Sequence, residues 1–284
     1  MKNSIIVLLV VFLAWSCKKD DDDGGNAPVK VAIRPLDEVA AENDAEIRRY
    51  LETHFYNYTD FENPPSDFDF KIKLDTIDGE NIDKTPLIEQ VESKTVNVSS
   101  NEFLLDTDEK DIPHKYYYLV VRENGEGEKS FPTIADSTFL RYEGRLLDGK
   151  VFDAVNAGGT WFDLPTFQFP GKAGNRAFRG VGEGMVNFKP GGGIIEHDDG
   201  TYTVEDYGIG MIILPSGLGT FNGRRGIISP YSPLIFTIDL LVVIETDHDG
   251  DGIPSIDEDS NKDGILYNDD TDGDDIPDYL DADS

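Results

Sequence analysis

The sequence predicts an α+β fold, and three observations carry that prediction. Only 38% of the 284 residues are hydrophobic, while 28 glycines and 15 prolines suit a loop-rich β or α+β chain better than a helical bundle. One long stretch, roughly 36–56, repeats its apolar residues at helical spacing. Other stretches read as strands: Tyr116 to Val121 is aromatic and β-branched, and Leu234, Phe236, Ile238 and Leu240 alternate at period two. The length suits one or two domains with a core of useful size.

The formal charge is −31. Such a charge argues against nucleic acid or anionic lipid headgroups as partners and suits solubility or cation binding. The charge is uneven: residues 247–284 hold 15 Asp or Glu against the single Lys262, so part of the acidity belongs to a separate module.

Residues 1–16 read as a signal peptide, with Lys2 as the positive start and an apolar run (IIVLLVVFLA) over residues 5–14. A bilayer span needs about 20 apolar residues, so this run is a secretory core and not a crossing helix. It ends in Leu13-Ala14-Trp15-Ser16-Cys17, which resembles a lipoprotein cleavage box. Cys17 is the only cysteine in the chain and stands where a lipid would be attached. The acidic linker over 17–34 begins Lys18-Lys19-Asp20-Asp21-Asp22-Asp23. It resembles the export signal of Bacteroidetes surface lipoproteins. The expectation is an outer membrane lipoprotein, held to the membrane through Cys17 and exposed at the cell surface.

Residues 35–114 form a helical and extended segment. Leu36, Val39, Ala40, Ile47, Tyr50, Leu51 and Phe55 make one stripe, with Glu38, Glu42, Asp44 and Arg48 opposite. The stripe is expected to dock on another element, and the helix to end before Asn63-Pro64-Pro65. No catalytic constellation is apparent over 57–115. His54 and His114 lack a second ligand at metal spacing and are expected at the surface.

From 115 to 245 the motifs follow one another in order. Tyr116 to Val121 is a strand, turned by Glu123-Asn124-Gly125. Thr138 to Leu147 is a second strand, Asp148-Gly149 a turn, and Lys150-Val151-Phe152-Asp153 a return strand ending in an aromatic ring and a carboxylate. Phe178-Arg179-Gly180-Val181-Gly182-Glu183-Gly184-Met185 is a short helical stretch. Its glycines could suggest a phosphate loop, but the strand–helix–strand unit that such a loop needs is absent. Gly210-Met211-Ile212-Ile213-Leu214-Pro215 is a strand, Gly226-Ile227-Ile228-Ser229-Pro230 a loop, and Leu234 to Leu241 the closing strand.

This series resembles the FKBP-type peptidyl-prolyl isomerases over about 130 residues. The resemblance implies a twisted antiparallel sheet wrapped around a short helix, proline-containing polypeptides as substrates, and no cofactor for catalysis. Carried over by residue, Tyr142, Phe152 and Phe236 would be pocket walls and Asp153 the polar group beside the bound proline. Ala177 and Phe178 would face the substrate, Val181 would replace the family's tryptophan floor, and Ile227 and Ile228 would form the opposing flap. Gly219 replaces the family's turn tyrosine, and Phe221 is expected near that space. Trp161 or Phe162 is expected as a further wall. Residues 193–207 look inserted.

Rotation about an X–Pro bond meets a barrier of about 18–20 kcal/mol because amide resonance must be broken. A dry aromatic pocket that favours the twisted amide needs neither nucleophile nor general base. The alternative is an FKBP-like module that binds peptide on the cell surface without efficient turnover.

The last module, 246–284, repeats Asp247-His248-Asp249-Gly250-Asp251-Gly252-Ile253-Pro254 as Asp270-Thr271-Asp272-Gly273-Asp274-Asp275-Ile276-Pro277, with a weaker Asn261-Lys262-Asp263-Gly264-Ile265 between. Alternating carboxylates on a loop that curls at glycine supply hard oxygen ligands, and Ca²⁺ takes six to eight of them. The repeat resembles thrombospondin type 3 repeats more than an EF-hand. The expected ligands are Asp247, Asp249, Asp251, Asp257, Asp259, Asp270, Asp272, Asp274, Asp278, Asp281 and Asp283. With so few apolar residues the module is expected to hold no core without calcium.

Overall fold

The computed structural model describes residues 32–123 and 130–284. Cys17 and the whole of the predicted signal peptide lie outside them. No helix among the described residues is long and apolar enough to cross a membrane.

The chain opens with α1 (Leu36–Thr53), followed by a two-stranded pairing of β1 (His54–Tyr56) with β2 (Leu74–Thr76) around the short α2 (Tyr58–Glu62). The helix stops three residues short of its predicted end. His54 turns extended at φ −123° and ψ 156°, and residues 54–56 pair in register with 74–76 instead of continuing the helical ladder.

A six-stranded antiparallel sheet follows in the order β3-β4-β9-β10-β5-β6. Its strands are β3 (Glu92–Val98), β4 (Ile112–Arg122), β5 (Ser137–Leu146), β6 (Val151–Asp163), β9 (Gly208–Leu214) and β10 (Leu234–Ile244). The short α3 (Arg179–Met185) lies over one face, and β7 (Gly193–Glu196) pairs with β8 (Tyr202–Glu205) as a separate hairpin built from the predicted insertion. The architecture is mixed α/β, with antiparallel sheets and few helices, and is compatible with an FKBP-like fold.

Both faces of β4 and β9 are buried along most of their length, which explains the apolar runs over 116–121 and 211–214. Tyr116, Tyr118, Ile212, Leu214, Phe236 and Ile238 belong to the core on the α3 side. Their neighbours Tyr117, Leu119, Met211, Ile213 and Ile235 point the other way and join Ile47, Tyr50 and Leu51 of α1. The stripe of α1 is thus a docking face, as its spacing predicts. Its fit is reinforced by one buried polar residue. Asn43 accepts from the Ser216 backbone N–H (2.8 Å) and hydroxyl (2.7 Å), and donates to the Tyr231 carbonyl (3.0 Å).

On the other face α3 is held by charge. The buried Arg179 pairs with Glu102 at 2.8 Å and Glu183 at 3.0 Å, and donates to the Asn97 carbonyl at 3.1 Å. Glu102 also faces Arg176.

Two expectations need correction. His114 is not at the surface: it is fully buried, with Nδ1 2.9 Å from the Ile112 carbonyl and its ring against Gly217, where a Cβ would collide with it. Burial depresses its pKa and keeps it neutral. His54 is half-buried and stacks on Tyr50 with centroids 3.7 Å apart.

The acidic module also has a core after all. Leu266 and Tyr279 are buried with Ala135, and Ile134 and Ile256 pack beside them. Gln168 donates to the Gly264 carbonyl and accepts from the Leu266 N–H, His248 Nε2 meets Asp163 at 2.9 Å, and Tyr267 stacks on Phe169. The module thus borrows apolar partners that its own sequence lacks.

Asn43→Ala should destabilise the fold by about 2–3 kcal/mol, because it strands the Ser216 donors and the Tyr231 carbonyl in a dry site. Urea unfolding of both proteins measures this; a loss below about 0.5 kcal/mol would remove Asn43 as the tie between α1 and the sheet.

Candidate functional site

The first candidate site begins with a glycine. Gly144 on β5 sits opposite Asp153 of β6 and Phe236 of β10. A Cβ at 144 would lie 2.5 Å from the Phe152 ring and 3.1 Å from the Phe236 ring. Only a bare backbone lets Phe152 rest there. The ladder also shifts register between Gly144 and Arg145, beside the tight turn at Gly149 (φ +83°).

Phe152, Phe178 and Phe236 then gather with centroids 5.5–6.1 Å apart, Phe152 standing edge-on to both others. Tyr142 lies 6.3 Å from Phe236, and Phe162 backs it at 5.4 Å. The Tyr142 hydroxyl donates to Asp153 Oδ2 at 2.7 Å. Burial first, and then that bond to a carboxylate, push the Tyr142 pKa well above the ordinary phenol value. The hydroxyl therefore stays a donor, and it fixes the orientation of Asp153.

Opposite lies the turn at Gly226, φ +58°, closed by a bridge between Arg225 and Ile228. Ile228 is buried while Ile227 is 49% exposed, so the turn presents Ile227 outward. Between the two sides is a cleft of about 250 Å³, lined by Phe152, Asp153, Phe178, Arg225, Ile227 and Ile228 among others. Such a cleft offers apolar walls, one carboxylate and backbone groups, and no nucleophile or base pair.

The other expected residues fall elsewhere. Ala177 is half-buried against the core next to Phe178 and does not line the cleft. Val181 points into the core and is 2% exposed, so it forms no floor of this cleft. Phe221 is fully buried between Phe103 and Tyr231 and does not fill for the missing tyrosine. Trp161 is exposed on Phe139, leaving Phe162 as the extra wall behind Tyr142. Arg225 escaped the sequence reading. Its guanidinium lies 4.7 Å over the Phe178 ring, and a basic residue directly before the Gly226 loop was the available signal.

No protein-family model matches the sequence, and no curated protein matches it. Among solved structures, a peptidyl-prolyl cis-trans isomerase from Pseudomonas syringae is similar at 24% identity, over 45% of this chain and 74% of that one, with a TM-score of 0.33. FkpA from Escherichia coli is similar at 27% identity over 45% of this chain and 47% of that one, about half its length, with a TM-score of 0.32. The N-terminal domain of FKBP42 from Arabidopsis thaliana is similar at 14% identity, over 46% and 87%, with a TM-score of 0.33.

The second candidate site is in the acidic module. Asp247, Asp249 and Asp251 bring ligand oxygens within 4.8 Å of one another, and so do Asp270, Asp272 and Asp274. Each triad begins a loop with the same internal bonding. Asp247 accepts from Gly252 N–H, Asp249 from Asp251 and Asp251 from Ile253; Asp270, Asp272 and Asp274 accept in the same way from Asp275, Asp274 and Ile276. A third loop repeats the scheme between them with Asp259, Asn261 and Asp263.

Asp278 is occupied by the Thr271 N–H and hydroxyl, Asp257 and Asp283 are exposed outside the triads, and Asp281 is buried beside Asp283. Glu258 was missed by the sequence reading. It stands twelfth from Asp247, where EF-hand loops place a bidentate carboxylate. It is 8% exposed, and its Oε2 has no partner. Asp249 Oδ2, Asp259 Oδ1 and Asp269 Oδ2 are likewise orphaned. Unpaired buried carboxylate oxygens around a curled loop suit a hard divalent cation.

Burial, and then Asp249, Asp251 and Asp247, push the Glu258 carboxyl up to about 7. A raised carboxyl pKa means that the folded state holds the proton longer than the unfolded chain. Metal-free stability should therefore fall as pH rises from about 4.5 to about 7. Melting of the chelated full chain across that window should show the decline, and Glu258→Gln should flatten it. A profile identical in the two proteins would reject this assignment.

Proposed function

We propose that residues 115–245 act as an FKBP-type peptidyl-prolyl isomerase, and that the chain is a folding helper in the bacterial outer envelope. The observation that carries this reading is the cleft walled by Phe152 and Phe178 and backed by the buried Phe236, with Asp153 oriented by Tyr142 and Ile227 presented across from it. A prolyl ring would rest against the aromatic walls, and the twisted imide would be favoured by a site that sheds water. Asp153 would supply the polar contact, and backbone N–H groups near Ile227 would hold the substrate chain.

No proton moves in this scheme, so rates should be flat between about pH 6 and 8. Phe152→Ala should lower kcat/KM on an X–Pro peptide by at least about tenfold, roughly 1.4 kcal/mol of transition-state stabilisation. A protease-coupled or NMR exchange assay measures it. Wild type at the uncatalysed rate would end the enzyme reading.

A second reading has one observation in its favour. Val181 is packed away from the cleft, so the cleft lacks an aromatic floor. A shallower cleft would hold proline peptides with less gain for the twisted state. In that case the wild type binds such peptides without turnover, as a surface recognition module.

The acidic module is read as a calcium-binding element, with the two aspartate triads and Glu258 as the nearest ligands. Calcium would relieve the mutual repulsion of these carboxylates and add stability by mass action. Anchoring is read from Cys17. Cys17→Ala should move the protein from the membrane fraction to the soluble one. A variant that still sediments with salt-washed membranes would overturn the lipoprotein assignment.

A further inference from the structure

The sheet face away from the aromatic cleft carries a second hollow, of about 230 Å³. Its floor is made by residues that alternate with the cleft residues: Arg141 and Arg145 of β5, and Thr237 and Asp239 of β10. Its wall is the extended stretch 71–73 that leads into β2, and Asn156 of β6 stands at its edge. The 57–115 segment, which shows no chemistry in the sequence, thus contributes two lysines to a site built with the sheet.

The charge here is opposite to that of the rest of the molecule. Lys71, Lys73, Arg141 and Arg145 give four positive charges against Glu143, Asp239 and Asp69, the last paired with Lys73 at 3.4 Å, a local balance of +1 in a chain of −31. Screening at physiological ionic strength acts over about 8 Å, so the nearest groups decide what binds.

The donors also outnumber the acceptors. Asp239 is buried, and its Oδ2 alone takes Lys71 Nζ at 3.0 Å and Arg141 Nη2 at 3.1 Å. Glu143 is committed to Arg145. No acceptor is left for Arg141 Nε, which is shielded from solvent and has no hydrogen-bond partner. Lys71 keeps two unused N–H donors, and Thr237 and Asn156 add neutral ones. Arg141 is also held in place, its guanidinium 4.7 Å over the Tyr207 ring. A fixed guanidinium with an unused donor, beside lysines and a hydroxyl, matches the oxygens of a planar or tetrahedral anion.

We propose that this hollow is an oxyanion site, which takes the carboxylate or phosphate group of a small ligand. It is independent of the prolyl reading, since the two sites lie on opposite faces of the sheet. If the cations serve only to neutralise Asp239 and to hold the 71–73 stretch to the sheet, no anion will bind here.

The test uses the full chain, labelled for NMR observation of the arginine Nε–Hε groups. Inorganic phosphate is titrated in one arm and acetate in another. The Arg141 signal should shift saturably with at least one of them, and the arm that does so identifies the ligand group. Arg141→Gln should weaken that binding about tenfold or more, the size expected for one charged hydrogen bond. Lys73→Gln, at a solvent-exposed position that leaves the fold intact, should weaken it about threefold, as befits a partly screened charge. An Arg141 signal unmoved by both anions, or binding unchanged in both variants, would overturn the proposal.

Discussion

The aromatic cleft depends on the absence of a side chain at Gly144. Strand pairing places that residue between Asp153 and Phe236, and the Phe152 ring occupies the space a Cβ would take. With Phe152 seated, Phe178 and Phe236 meet it edge and face, and Tyr142, two residues before Gly144 on the same face, reaches Asp153. One close approach of ring to backbone thus sets the geometry of both the apolar walls and the single carboxylate. The rest of the sheet holds the register that makes this approach possible.

That register is protected from both sides. The central strands carry apolar residues on both faces over most of their length, because α1 covers one face and α3 the other. The covering elements are not held by apolar contact alone. Asn43 bonds to the loop after β9, and Arg179 sits buried between Glu102 and Glu183. Buried polar groups of this kind contribute less net stability than apolar packing would, but they admit few alternative arrangements. The upstream segment is therefore part of the same folded unit as the cleft, and it also walls the cationic hollow on the outer face.

The acidic module joins this unit through β6. That strand begins with the residues that form the cleft and ends at Asp163, which meets His248 of the module. Next to it, Phe167 meets Phe162 edge to face behind Tyr142, while Gln168 binds the backbone at Gly264 and Leu266. The module's carboxylates repel one another, and after burial this repulsion is what raises the Glu258 carboxyl above its ordinary value. Packing of Leu266 and Tyr279 against Ala135 offsets part of that repulsion.

The sequence by itself determined what depends on near neighbours. The stripe of α1, the period-two strands, the Asp148-Gly149 turn, the Tyr142-Glu143-Gly144 and Phe152-Asp153 pairings, and the alternating aspartates of the loops are all set within a few residues by backbone geometry. Only the tertiary structure decided what depends on distant partners. His114 is buried because Gly217 leaves room for its ring, and Val181 is a core residue because α3 turns it inward. Phe221 is held by Phe103 and Tyr231, and α1 ends at Thr53 because residues 54–56 find strand partners twenty residues away. A basic residue before the Gly226 loop and an acid twelfth from Asp247 are visible locally, but only the fold lays Arg225 over Phe178 and turns Glu258 to the first aspartate loop. The acidic module holds a core because Ala135 lies far from it in sequence and next to it in space. Periodicity reports which face of an element is apolar; what that face meets is set by non-local pairing, which a single sequence does not display.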